Sequence, residues 1–143
     1  MSVTRREWAA LLPMLAAAQS TEPNPKPTKL PTRIYHSDQI PYKGDETKKA
    51  RRFLYGSEHA GFNLEVHETI LGPGVETHPP HRHVHDELMI VVEGTLEMNF
   101  DGRKERAEAG SVIHSGSNEM HNARNAGSGP CRYYVIELRG QEA

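Results

Sequence analysis

From residue 33 onward, apolar and polar residues alternate with a period of two more often than with the helical period of 3.6. The segment FNLEVHETIL shows this most clearly. Its apolar face holds Phe62, Leu64, Val66 and Ile70, and its polar face holds Asn63, Glu65, His67 and Thr69. Such alternation predicts a β-strand. The pattern does not decide which of the two faces points inward. The direction of His67 is therefore left open.

Further segments repeat this pattern at short intervals. GTLEMNFDGRKE alternates and then reaches Asp101-Gly102, a dipeptide typical of a two-residue β-hairpin turn. RFLY, ELMIVV, SVIHS and CRYYVIEL predict further strands, and no helical pattern of about twelve residues follows residue 33. Many short strands separated by glycine-rich turns predict an all-β domain, either a sandwich or a barrel.

The N-terminus has a different pattern. Residues 1–18 combine Arg5 and Arg6 with an apolar stretch and the small-residue ending Ala16-Ala17-Ala18, which is the layout of an export signal. TRREW also resembles the twin-arginine signal, although Trp8 replaces the usual Phe and no Lys follows. An amphipathic first helix packed on the domain is the alternative. The prediction is export to the periplasm or cell envelope of a bacterium.

Four prolines lie in residues 19–32, which predicts an extended linker. The folded domain is therefore expected at residues 33–143, and no stable membrane span is expected after signal removal, since the apolar stretch is short. A net charge of −2 without a basic stripe argues against a nucleic-acid partner. The single cysteine, Cys131, excludes an internal disulfide and is interpreted as a packed strand residue.

Candidate chemistry is concentrated in THPPHRHVHDE, residues 77–87. On one straight strand, with a rise of about 3.3 Å per residue, His81 and Glu87 would lie about 20 Å apart, too far to share a metal ion. A chain reversal at residues 84–86, with Glu87 opening the antiparallel neighbour, brings His81, His83 and Glu87 together. His85 and Asp86 are then expected in the turn, with His85 facing solvent or the rim.

The same segment resembles the first signature of the cupin superfamily at Gly74, His81, His83, Glu87 and Gly94, with one extra residue between Gly74 and His81. GSVIHSGSNEMHNARN is similar to the second signature at Gly110, His121 and Asn125. It departs at Gly116, where Pro is expected, and at Asn118, where Gly is expected; Asn tolerates the positive φ that Gly supplies.

The resemblance covers roughly residues 50–139 and implies a double-stranded β-helix, a jelly-roll-like barrel. It also implies that the ligands are His81, His83, Glu87 and His121, which suit one divalent transition metal ion: Fe, Mn, Ni, Zn, Cu or Co. Clustered surface histidines, or a barrel that has lost its metal, are the alternatives. Homodimer formation is a further implication of the resemblance.

Met89 and Val91 have the parity of Glu87 and are predicted to line the pocket. His114 and Arg124 are weaker candidates at the mouth, as a proton carrier and a carboxylate clamp, with a solvent-facing rim position as the alternative. Two functions remain open. One is a dioxygenase- or isomerase-type enzyme acting on a small organic molecule, and the other is a non-catalytic module that binds a small ligand or the metal itself.

Overall fold

The computed structural model describes residues 28–140 and consists almost entirely of β-strands. The strands are β1 (Lys43–Gly44), β2 (Lys48–Ser57), β3 (Asn63–Leu71), β4 (Asp86–Glu93), β5 (Thr95–Phe100), β6 (Arg103–Glu108), β7 (Val112–Ser115), β8 (His121–Asn125) and β9 (Cys131–Arg139), with a 3₁₀ turn at Ser37–Gln39. One sheet has the order β1-β2-β3-β9-β4-β7 and the other β6-β5-β8. The predicted all-β barrel is confirmed.

The β5–β6 hairpin turns at the predicted dipeptide. Asp101 and Gly102 have φ values of 49° and 93°, the pair of positive φ angles that a type I′ turn requires. The side chain of Asn99 supports the turn by accepting a hydrogen bond from the Gly102 N–H at 2.8 Å. Local turn chemistry therefore sets the register of the β5–β6 hairpin.

The two sheets enclose a core drawn mainly from alternate residues of their inward faces. Its members are 0–9% exposed: Leu71, Met89, Val91, Leu96, Met98, Ile113, Ala123, Cys131, Tyr133 and Val135. Cys131 is free, and burial raises the pKa of its thiol to about 11, as expected for a packed residue. The strand HNARN of β8 was missed by the sequence prediction, because His and Asn fill inward positions where apolar residues are normally expected.

The large sheet turns apolar side chains outward as well. Strand β3 directs the polar His67 and Thr69 into the barrel, where both line its cavity. The opposite face of β3 is on the outside of the barrel and holds Leu64, Val66 and Ile70, which pair with residues of β9. Leu138 (42% exposed), Ile90 (37%) and Val112 (67%) belong to the same outer face by strand register. We call this surface the outer apolar face.

A buried carboxylate lies on that side of the large sheet. Glu68 is 0% exposed and accepts hydrogen bonds from Tyr42 (2.7 Å), Arg51 (2.6 Å) and Arg132 (3.2 Å). Burial acts to raise the pKa of Glu68, but these three donors outweigh burial and lower it. This cluster ties β2, β3 and β9 together with the segment that precedes β1.

Residues 28–30, placed in the linker by the sequence analysis, lie beside the end of β2. The Leu30 N–H donates to the Ser57 carbonyl at 3.0 Å, and the Ser57 N–H donates to the Thr28 carbonyl at 2.9 Å. Contacts with the barrel therefore begin before the predicted boundary at residue 33. The predicted signal, residues 1–18, lies outside the described residues. Within residues 28–140, no helix has the length and hydropathy needed to cross a membrane.

Candidate metal centre

His81 and His121 lie opposite each other in an isolated antiparallel β-bridge. Each backbone N–H donates to the carbonyl of the other residue, at 3.1 and 2.9 Å. Further backbone bonds attach the second motif to the first, among them the bond from the Asn118 N–H to the His83 carbonyl at 2.7 Å. Asn118 has φ 61°, so its replacement of the expected glycine preserves the backbone conformation.

Three imidazoles converge at this point. The ring centroids of His81 and His83 are 5.3 Å apart, and each lies 4.9 Å from that of His121. One ligand nitrogen from each residue lies within 4.8 Å of the other two. We call these three residues the three-histidine group. Two chain segments that are 38 residues apart in sequence, from His83 to His121, thus present their side chains to one point.

The rings are held in the orientation that a metal ligand needs. Nδ1 of His83 lies 2.8 Å from the His85 carbonyl, and Nδ1 of His121 lies 2.9 Å from the Glu119 carbonyl. Because a carbonyl only accepts, each Nδ1 must carry the proton, which leaves a lone pair on Nε2. Both of these Nε2 atoms, and Nδ1 of His81, are buried without a hydrogen-bond partner. Buried polar atoms are normally satisfied, so the group fits a divalent metal.

Glu87 adjoins the three-histidine group through His83, with Oε2 3.3 Å from its Nε2. The carboxylate is 8% exposed. Burial raises the pKa of Glu87, and the neighbouring Glu137 carboxylate raises it further. Burial also lowers the pKa of His81, helped by His121 and His83. Neutral imidazoles are the form that binds a metal. The structure brings His81, His83 and His121 to one point, and Glu87 lies beside this point in a group with His83 and His85. The role of Glu87 as a fourth ligand stays a prediction.

The route by which the chain brings His83 and Glu87 together differs from the prediction. His81 pairs with His121 beside the small sheet, whereas Glu87 lies in β4 and pairs with Ser115 and Glu137 of the large sheet. The chain therefore crosses between sheets instead of forming a hairpin. Asp86, expected in the turn, is already in β4.

His85 was expected to face solvent or the rim, and this expectation was wrong. Its ring stacks on that of His83 at 3.7 Å, and its Nε2 lies 3.4 Å from Oε2 of Glu137. Burial lowers the pKa of His85 to about 4. His78 also lies next to the three-histidine group, with its ring centroid 3.9 Å from that of His81. Both residues line the cavity together with His81 and His83, whereas Arg82 and Val84 between these histidines are exposed.

The three-histidine group opens into a cavity of about 420 Å³. Met89, Tyr133 and Val135 supply apolar walls, and Lys48 and Arg139 supply cationic groups. Met89 was predicted to line the pocket and does so. Val91 was also predicted to line the pocket, but it is 1% exposed and belongs to the hydrophobic core.

His114 and Arg124 do not reach this cavity. His114 pairs in register with Leu88 on the outside of the large sheet, and its Nε2 lies 4.0 Å from Asp86. Arg124 points away from the barrel interior and donates to Glu97 at 2.6 Å. The expectation that they lie at the mouth was wrong. Successive residues of a strand point to opposite faces, and the residues before and after each of the two face inward: Ile113 and Ser115, and Ala123 and Asn125.

Charged residues of β3 and β9 at the same cavity were not singled out from the sequence. Glu137 is 8% exposed, and its Oε2 accepts hydrogen bonds from Nε (2.8 Å) and Nη2 of Arg139. His67 and Glu65 lie on the neighbouring strand, with Glu65 opposite Glu137 in register. The alternation of polar residues in FNLEVHETIL was the available signal, but it left the direction of that face open.

Comparison with known proteins agrees with this architecture. Residues 67–137 match the Cupin_2 family, described as a cupin domain. An RmlC-like cupin from Shewanella frigidimarina superposes with a TM-score of 0.62 at 19% identity, covering 75% of this chain and 90% of that one. A predicted oxalate decarboxylase from Thermotoga maritima gives 0.63 at 15% identity, covering 75% and 99%.

One curated relative is named endoribonuclease YbeY, from Myxococcus xanthus. It is 30% identical over 94 residues, which are 64% of this chain and 31% of that protein. This chain therefore spans about a third of that relative's length, and the activity named for the relative is not assigned to this chain. Residues 67–137 therefore match a cupin domain, and the barrel has the same fold as these cupin structures.

Proposed function

We propose that this chain is an exported metal-binding cupin that acts as a mononuclear metal-dependent enzyme on a small organic molecule, in a reaction of the dioxygenase or isomerase type. The observation that carries the proposal is the set of three buried, unpartnered ring nitrogens in the three-histidine group. They open directly into a cavity of about 420 Å³, a size suited to a small molecule. Purely structural metal sites are normally closed.

A transition metal bound here would supply Lewis acidity and, for redox-active ions, a site at which O₂ reacts. The chain's own residues supply the remaining parts. Met89, Tyr133 and Val135 exclude water from one wall. Lys48 and Arg139 place positive charge at the cavity, which favours a substrate carrying a carboxylate or enolate. Glu87, whose pKa is raised by burial, is placed to hold a proton beside the site.

A non-catalytic binding module is the second candidate, and a specific contact favours it. Oε2 of Glu137 is bound by Arg139 and lies 3.4 Å from His85. This carboxylate is therefore engaged by its neighbours and is poorly placed to act as a general base. Such a module would use the same metal to fix a small ligand, without turnover.

Oxygen consumption separates the two candidates. We expect protein reconstituted anaerobically with Fe(II) to consume O₂ when given a bidentate substrate, tested with catechol-like, diketone and thiol compounds. Reconstitution with Mn(II), Ni(II), Co(II) and Zn(II), with product analysis by mass spectrometry, tests isomerisation in parallel. His83→Ala, which removes a proposed ligand, is the negative control. Absence of turnover with every metal and compound class would favour the binding module.

Export is a separate part of the proposal and rests on residues 1–18. We expect deletion of these residues, or replacement of Arg5 and Arg6 by lysine, to leave the protein in the cytoplasm, because the twin-arginine pathway reads the arginine pair. Cell fractionation with immunodetection measures this. Replacement of Lys26 and Lys29 by arginine, in the linker, is the control and should leave localisation unchanged. Envelope localisation of the arginine-pair variant would contradict a twin-arginine signal.

We also propose that the chain forms a homodimer through the outer apolar face. Leu138, Ile90 and Val112 are 37–67% exposed there, although a folded monomer gains by covering such a face. A second copy presents the same apolar side chains, as a two-fold symmetric interface requires.

A further inference from the structure

A further cluster of side chains that could hold a metal ion lies at the barrel interior and shares no residue with the three-histidine group. Glu65, His67 and Glu137 each offer one ligand atom, and these atoms lie within 4.8 Å of one another. They come from the neighbouring strands β3 and β9, where Glu65 stands opposite Glu137. We call these three residues the mouth cluster.

The mouth cluster is shielded from solvent and contains one unsatisfied ring nitrogen. The side chains of Glu65, His67 and Glu137 are 12%, 23% and 11% exposed. Nδ1 of His67 is buried without a hydrogen-bond partner, and it lies 3.5 Å from Oε1 of Glu65. That separation is long for a hydrogen bond. It is close to the spacing of about 3.0 to 3.4 Å between two ligand atoms that each lie about 2.1 Å from one ion.

Charge on neighbouring residues supports the same interpretation. Two carboxylates directly opposite each other on adjacent strands repel, and Glu87 adds a third beside Glu137. Arg139 binds Oε2 of Glu137, and Arg52 lies 3.9 Å from Oε2 of Glu65. Oε1 of Glu65 faces His67 instead. A divalent cation between Glu65, His67 and Glu137 would satisfy the orphaned ring nitrogen and offset the remaining repulsion.

We propose that the mouth cluster binds a second divalent cation. Two carboxylates and one imidazole form a harder donor set than three imidazoles, which makes this cluster better suited to Mn(II) than the three-histidine group is. His85 completes the surroundings, since its Nε2 lies 3.4 Å from Glu137. The two sites open to one cavity, because His67 and Glu137 line it together with the three-histidine group. This inference does not depend on the enzymatic function proposed above.

Equilibrium dialysis of the full chain against Mn(II), followed by metal analysis, tests the proposal. We expect two equivalents in the unchanged protein, one in Glu65→Gln, one in His121→Ala, and none in the double variant. Glu97→Gln is the matched control: Glu97 is a carboxylate of similar exposure that faces outward and binds Arg124 and Arg106. It should retain two equivalents.

Circular dichroism and thermal unfolding check that each variant folds, and His67→Asn replaces Glu65→Gln if that variant does not. A single equivalent in the unchanged protein that survives Glu65→Gln but not His121→Ala would overturn the second site and leave the three-histidine site intact. Two equivalents retained in Glu65→Gln would also overturn it. A single equivalent lost in Glu65→Gln but kept in His121→Ala would support the mouth cluster and contradict the three-histidine site.

Discussion

His83→Ala should lose one equivalent of tightly bound transition metal, with affinity at the three-histidine group falling by more than about a hundredfold. Loss of an outer hydrogen-bond partner of a ligand already costs about ten- to a hundredfold, and this substitution removes the ligand itself. His83 also occupies the centre of the site, since its Nε2 is 3.3 Å from Glu87 and its ring is 4.9 Å from that of His121.

The measurement is competition with a chelator of known affinity, using Co(II) because its visible absorption reports coordination. His36→Ala is the matched control, since His36 lies beside the 3₁₀ turn, where it is exposed and away from the cavity. It should leave both affinity and spectrum unchanged. Full metal retention by a correctly folded His83→Ala protein would show that His83 is not a metal ligand.

Ile90→Lys should convert the protein from a dimer to a monomer at micromolar concentration. Ile90 is 37% exposed on the outer apolar face, on the central part of β4. In a two-fold interface each substitution occurs twice, so two ammonium groups would be buried. If each costs about 1 to 3 kcal/mol without a partner, the dimer Kd should rise at least about thirtyfold.

Light scattering coupled to size-exclusion chromatography gives the mass, which for the unchanged full chain should be twice 16.0 kDa. Ile34→Lys is the matched control, since Ile34 is 74% exposed and precedes β1, outside the outer apolar face. It should remain dimeric. A monomeric mass for the unchanged protein at about 100 µM, far above a typical specific Kd, would contradict the dimer.

The local patterns of the sequence predicted most of the fold. The β5–β6 turn at Asp101-Gly102 needs only two adjacent residues that tolerate positive φ, and the structure has both. Asn118 was likewise interpreted correctly as a substitute for glycine. Strand β8 was missed, because its inward residues, His121 and Asn125, are polar and serve the site and a buried hydrogen-bond network.

The candidate site was predictable only in part. The spacing of His81, His83 and Glu87 identified one half, and the resemblance to the cupin signatures supplied His121. The position of His85 was wrong for a physical reason: turn propensity describes a local hairpin, whereas this segment crosses from one sheet to the other and packs its ring on His83. The inward direction of His67 could not be obtained from alternation, which is equally consistent with either face.

The sequence by itself therefore determined the strand periodicity, the hairpin turn and the identity of the residues capable of binding a metal, because these depend on near neighbours along the chain. Only the tertiary structure decided that Glu65, His67 and Glu137 face inward, that His114 and Arg124 face outward, and that the apolar side of β3 lies on the surface. Those outcomes depend on which strands pair and how two sheets face each other, and such long-range contacts are not encoded in the local alternation of residues.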